Sequence, residues 1–412
     1  MATLSSIITP SNITTATNTQ TLTNKTLTGA DMNGTLGATT PSTVAATTLS
    51  ASGASTFTNS APSAIGGLGF RNRIINGDMR IDQRNEGAAV TANSSFPVDR
   101  WTMPYSVTSL LLTAQRSTTA ATGFLNSLLV TATTGASASA GETVLVRQQI
   151  EGQNTPDFLF GTANAKTVTV SFWVRSSLAG IYCCTIKNSA QDRAYVAEYT
   201  INAADTFEYK TITVAGDTTG TWLTTNGIGV RVEFDLGSGT NFNATVNTWT
   251  GSNVRRTTNQ VNWCGTTGRT FYVTGVQLEI GNAATEFERR PFGQELELCF
   301  RYFRRYASDA SNHCLLPGYA LANATTGGYG PVQLTPIMRD NPTLSVSAAA
   351  DLSVDTSGTA AAMSAVSIYG GYTTKNSVLL NFTVASGLSN GQAYMFRVNS
   401  GTGKHASFSA EF

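Results

Sequence analysis

The sequence predicts an all-β protein. Three observations carry that prediction. Several segments alternate apolar and polar residues with a period of two, the pattern of a strand with one buried face. The chain has 38 glycines among many Thr, Ser and Val, a composition suited to short strands and tight turns. One segment alone, near residue 300, follows the helical period.

The first 64 residues read differently from the rest. Met1 to Ala64 is Thr, Ser, Ala, Asn and Gly, with Lys25 and Asp31 its charged residues. Large apolar side chains are too sparse to offset the entropy of ordering the chain. Residues 19–36 repeat a Thr-Leu beat and 38–58 an Ala/Ser-Thr-Thr beat. Neither is regular enough for a solenoid. The expectation is an extended arm over 1–64 that orders on other chains, followed by a glycine hinge in SAIGGLG (63–69).

Residues 65–285 are expected to form a two-sheet β-sandwich. VTVSFWV (168–174) places Val168, Val170, Phe172 and Val174 inward, with Ser171, Trp173 and Arg175 outward. IGVRVEFDL (228–236) turns Val230, Val232 and Phe234 inward and Arg231, Glu233 and Asp235 towards solvent. In FYVTGVQLEI (271–280) the apolar phase slips at Gly275, which predicts a β-bulge. Further strands are expected at 73–81, 98–104, 108–115, 125–133, 143–150, 180–187, 193–201 and 206–214. Trp101 reads as core, beside a buried Asp99–Arg100 pair.

A connecting helix is expected within 286–308. Leu296, Cys299, Phe300, Phe303 and Tyr306 fall in one stripe about 120° wide. Pro291 suits the helix entrance. Glu297 and Arg301 stand four apart, in the favourable order for pairing. In VLLNFTV (378–384) and AYMFRV (393–398) the period-two pattern returns, so 309–412 is expected to be a second, smaller β-sandwich.

Charge narrows the partners. The net charge is +1 and charged residues are 12%, so no long-range field steers nucleic acid or an anionic membrane. Arg289, Arg290, Arg301, Arg304 and Arg305 are interleaved with Glu286, Glu288, Glu295 and Glu297, which reads as a charge-paired surface. No run approaches the roughly 20 apolar residues of a membrane span. MATLSSIITPSN shows neither the basic nor the apolar region of a secretory signal. The five cysteines have no ligand spacing and are expected reduced, mostly buried. The two histidines offer little to a transition metal.

NRIINGDMRIDQRN (72–85), FPVDRW (96–101) and GVQLEIGNAATEFERRPFGQELELCFRYFRRY (275–306) resemble a signature shared by tail-fibre and adhesin proteins of tailed bacteriophages. TLTNKTLTG and ATTPSTVAATTLSASG are similar to shaft-proximal repeats of such fibres. PIMRDNPTL (336–344) and HASFSAEF (405–412) resemble their C-terminal modules. The resemblance implies a jelly roll like those of carbohydrate-binding modules, a homotrimer and a place on the virion after synthesis in the host cytoplasm. It implies that residues 1–64 dock onto other tail or collar proteins. In the related modules, acidic residues from the first and last strands hold a structural calcium. The matching positions here are Asp78 and Glu279, although two carboxylates fall short of the usual six to eight oxygens.

The expected function is host attachment through many weak contacts with surface polysaccharide. A head or collar decoration fibre is the alternative, and a polysaccharide depolymerase a third reading. No G-x-S-x-G elbow, phosphate loop or H-E-x-x-H appears, so the chain is not expected to be an enzyme. Sugar rings need an aromatic face with polar groups nearby. Trp173 on its strand's polar face, Trp222 and Trp249 in loop-like contexts, and Tyr329 in a glycine loop are the candidate ligand-binding residues. Leu296, Phe300 and Phe303 are the candidate trimer contacts.

Overall fold

The computed structural model describes residues 70–356 and 359–412, and the arm expected over 1–64 lies outside them. Eleven strands build the first part. They are β1 (Trp101–Thr102), β2 (Leu111–Ser117), β3 (Ser127–Thr134), β4 (Leu145–Glu151), β5 (Val168–Ser176), β6 (Gly180–Lys187), β7 (Ala194–Ile201), β8 (Glu208–Val214), β9 (Ile228–Asp235), β10 (Trp249–Thr250) and β11 (Thr270–Ile280). They form two antiparallel sheets, of order β1-β4-β9-β6-β7-β10 and β2-β3-β11-β5-β8. Consecutive strands cross repeatedly between the sheets, which is the jelly-roll arrangement.

The period-two residues fill the space between the sheets. Val168, Val170, Phe172 and Val174 of β5 are buried against Val230, Val232 and Phe234 of β9 in one core. Phe172 and Phe234 meet edge to face at 4.8 Å. Trp101 is fully buried, and its indole N–H donates to the Asn76 carbonyl at 3.1 Å.

The outer face of the six-stranded sheet departs from expectation. Glu233 and Asp235, expected in solvent, are fully buried, and Arg231 nearly so. The chain beyond β9 folds back over this face. The Arg255 backbone carbonyl accepts there from the Thr185 hydroxyl at 3.0 Å, and the Gln260 side chain donates to Asp235 at 2.5 Å. Beneath it Lys187 and Glu233 form a fully buried ion pair at 3.0 Å. The expected Asp99–Arg100 pair does not form either. Asp99 faces Arg84 and Gln83, while Arg100 pairs with Glu411.

Residues 73–81 make turns rather than a strand. Asn76 adopts a positive φ, and its side chain bonds Ile81 and the Asp99 carbonyl.

A single α-helix, α1 (Phe292–Phe300), follows among the described residues. The helical stripe does not continue past it. Phe303–Ala307 is strand β12, paired with β20 (His405–Ser409) about a hundred residues later. The remaining strands are β13 (Cys314–Ala324), β14 (Gly327–Gln333), β15 (Thr343–Val346), β16 (Leu352–Thr356), β17 (Thr359–Thr373), β18 (Ser377–Val384) and β19 (Ala393–Val398). In place of a second sandwich, β13-β14-β18-β17-β16-β19 closes into a barrel, with β12-β20-β15 as a three-stranded sheet beside it. Closure removes the edges that an open sheet of these strands would expose. Leu380, Phe382, Phe396 and Val398 fill the barrel.

The chain terminus joins the two parts. Arg339 donates to the carbonyls of Asn226, Ala410 and Glu411 at 2.7–3.0 Å. Glu151 at the end of β4 accepts from Arg301 at 2.6 and 2.8 Å and from the Tyr302 hydroxyl at 2.8 Å. Arg301 thus pairs with Glu151, not with Glu297.

Candidate functional site

A groove of about 450 Å³ opens on the outer face of the five-stranded sheet. Its floor comes from period-two alternation: core residues on one side of β5 force Ser171 and Trp173 to the other. Trp173 pairs in register with Tyr209 of β8, and their rings lie 5.4 Å apart. Tyr209 is 43% exposed. Two aromatic faces therefore line the floor side by side.

The predicted bulge shapes the middle of the groove. The β11–β5 register shifts between Thr274 and Gln277, and Gly275 there has φ +60°. A Cβ at Gly275 would lie 2.6 Å from the Phe124 ring. Only glycine meets both the left-handed backbone and this approach. Phe124 packs edge to face on Phe287 at 5.2 Å. The Arg289 guanidinium lies 4.7 Å from the Phe124 ring centre and donates to the Gly123 carbonyl at 2.7 Å. Phe124, Phe287 and Arg289 form one wall, and Glu286 and Thr285 add polar groups.

Glu279 holds that wall in place. Its buried carboxylate accepts from the Thr285 amide at 2.8 Å, the Thr285 hydroxyl at 2.7 Å and Gln277 at 2.8 Å. Gln277 also accepts from the Glu288 amide at 2.8 Å. The bulge makes this possible, because after it Gln277 and Glu279 face the outer side. Asp78, its expected companion at a calcium, pairs with Arg80 instead, and burial pushes its carboxyl above the usual range. The two carboxylates take their donors from different residues. Among the described residues, no three His, Cys, Asp or Glu side chains gather where a metal could sit.

The other sequence-predicted residues fall elsewhere. Trp222 and Trp249 meet at 5.6 Å in a cluster with Phe160 and Tyr195. The Trp249 indole donates to Ala215 at 2.8 Å, and the Trp222 indole to Thr219 at 3.2 Å. Their rings pack on one another and pin the loop after β8. Tyr329 lies on β14, not in a loop, with its ring 5.0 Å from that of Tyr369.

The residues of the expected trimer stripe all make contacts within this chain, and Leu296 and Phe300 stay half-buried. Phe303 is buried, with the Arg84 guanidinium 3.6 Å above its ring. Leu296 packs on Ile75, Ile81, Cys299 and Tyr302, and Arg304 covers Phe300 at 4.3 Å.

Sequence reasoning found Trp173 but missed its neighbours. Tyr209 carried the same signal, an aromatic on the polar side of an alternating strand with Ile212 and Val214 inward. Phe124 and Phe287 carried none, since only the fold brings the β2–β3 loop to the segment after β11. Four of the five cysteines are buried and all are free, as expected. No described helix is long and apolar enough to cross a membrane.

No protein-family model matches the sequence, and no curated protein matches it. Among solved structures, it is similar to the enzymatically active domain of tailspike protein 4 of bacteriophage CBA120. There the identity is 12% and the TM-score 0.28, covering 51% of this chain and 22% of that one. It is similar to TmCBM61 in complex with β-1,4-galactotriose, at 9% identity and TM-score 0.26, covering 52% and 100%. It is also similar to a family 11 carbohydrate-binding module from Clostridium thermocellum in complex with a mixed-linked tetrasaccharide. That match has 12% identity and TM-score 0.25, covering 48% and 98%. Likeness at this level carries no argument about ligand or activity.

Proposed function

We propose that the chain binds surface glycans through the Trp173–Tyr209 groove and serves as a receptor-binding tail fibre of a tailed phage. The observation that carries the glycan reading is the groove itself. Two half-exposed aromatic faces form the floor, with the Glu286 carboxylate and the Arg289 guanidinium at the wall. A sugar ring offers an apolar face to the rings and hydroxyls to the polar groups. The groove has one carboxylate, Glu286, where glycoside hydrolysis needs two. This favours binding over cleavage. The virion role rests on the resemblance of residues 72–85, 96–101 and 275–306 to phage fibres. Assembly as a homotrimer, with residues 1–64 docking on tail proteins, would multiply weak sites through effective concentration.

Purified protein applied to host cells, extracted surface polysaccharide and a glycan array tests this reading. Trp173→Ala should weaken glycan binding at least about tenfold while leaving the fold intact. Absence of binding on all three supports would leave the decoration-fibre reading. Release of oligosaccharides would favour the depolymerase.

A further inference from the structure

A second cleft, of about 330 Å³, lies where the jelly roll meets the three-stranded sheet. Its floor is one face of that sheet, set by register. Arg305 on β12, Ser407 on β20 and Ser345 on β15 stand in one cross-strand row, and Phe303 with Ser409 in the next. The opposite face, with Phe408 and Ala406, belongs to the barrel core. The jelly roll supplies the wall. The Arg84 guanidinium is stacked between Phe96 at 4.3 Å and Phe303 at 3.6 Å.

The lining is rich in donors. Arg84, Arg305, His405, Ser345, Ser407 and Ser409 line this space, the Ser407 hydroxyl donates to the Ser345 carbonyl at 3.2 Å, and no carboxylate lines it among the described residues. Both guanidinium groups are held rigidly. The Arg305 side chain is 8% exposed, anchored by Glu86 at 2.6 Å and the Gln83 carbonyl at 2.8 Å, and its Nε has no hydrogen-bond partner. Arg84 reaches Asp99 and Glu411 only at 3.5 and 3.3 Å. Two fixed forks with unspent donors, beside short hydroxyls, match a planar or tetrahedral oxyanion on a hydroxylated ligand. The half-buried setting strengthens such a contact relative to water.

We propose that this cleft binds an acidic sugar, a hexuronate or a hexose phosphate. The charged group sits against Arg84 and Arg305, and the sugar hydroxyls lie on the Ser345–Ser407–Ser409 side. This site is independent of the Trp173 groove.

Ligand-observed NMR on the full chain tests it with glucuronate, glucose 6-phosphate and glucose. Either charged sugar should bind at least about tenfold tighter than glucose, as a charge-assisted contact requires. The arm that binds identifies the oxyanion. Ser345→Trp fills the cleft from an exposed position on edge strand β15 and should abolish the signal. Arg305→Gln should weaken it. Equal binding of glucose, no binding of either charged sugar, or unchanged binding by Ser345→Trp would each overturn the proposal. The first two comparisons use the unmodified chain, so they stand even where a variant fails to fold.

Discussion

Replacing Glu151 with alanine should loosen the joint between the jelly roll and the chain that leads into the barrel. Glu151 is fully buried at the end of β4 and accepts three hydrogen bonds, two from Arg301 and one from Tyr302. Removing one partner of a buried ion pair costs about 3–5 kcal/mol. Arg301 is 25% exposed and regains water, which places its share at the low end. Tyr302 is fully buried, and its stranded hydroxyl adds about 1–3 kcal/mol. A total of about 4 kcal/mol is expected. At about 2 °C per kcal/mol for a large domain, the melting temperature should fall by about 8 °C. Urea denaturation of the wild type, Glu151→Ala, Tyr302→Phe and the double variant gives the measurement. The Glu151–Tyr302 coupling should be about 1 kcal/mol or more. A loss below about 1 kcal/mol for Glu151→Ala, or additive single effects, would refute the assignment of Glu151 as the joint.

Other outcomes follow from the same geometry. Gly275→Ala forces a Cβ towards the Phe124 ring at a positive φ, and should cost about 1–3 kcal/mol and weaken glycan binding together. Glu279→Gln keeps the volume but removes the charge that holds Thr285, and should weaken glycan binding more than it lowers the melting temperature. Alkaline pH should destabilise the fold. Burial pushes the Cys183 thiol up to about 12 and the Cys264 thiol to about 11, from an ordinary 9.0. In the unfolded chain these thiols lose their protons first. Their contribution is therefore complete below pH 9 and lost as pH rises through about 11–12, by up to about 1.4 kcal/mol per pH unit for each thiol. Urea midpoints between pH 8 and 10.5 should fall less steeply in Cys264→Ala, and an unchanged slope would count against it.

The alternation in residues 168–174 and 228–236 was enough to name β5 and β9 and their core faces, because strand geometry sends neighbouring side chains to opposite sides. The slip at Gly275 was enough to place the bulge that shapes the groove. Trp173 stood out for the same local reason. What covers a face, however, is not a property of the strand. Arg231, Glu233 and Asp235 alternate as solvent-facing residues do, yet a segment some twenty residues later folds over them. Phe303 continues a helical stripe, yet pairing with β20 draws it into a sheet, since a ladder with a distant strand outweighs a weak local propensity. The all-β class, the bulge and one floor residue of the groove were thus decided by nearest neighbours in sequence. The groove wall, the closed barrel and the acidic-sugar cleft were decided by contacts between segments tens to hundreds of residues apart, which no local period records.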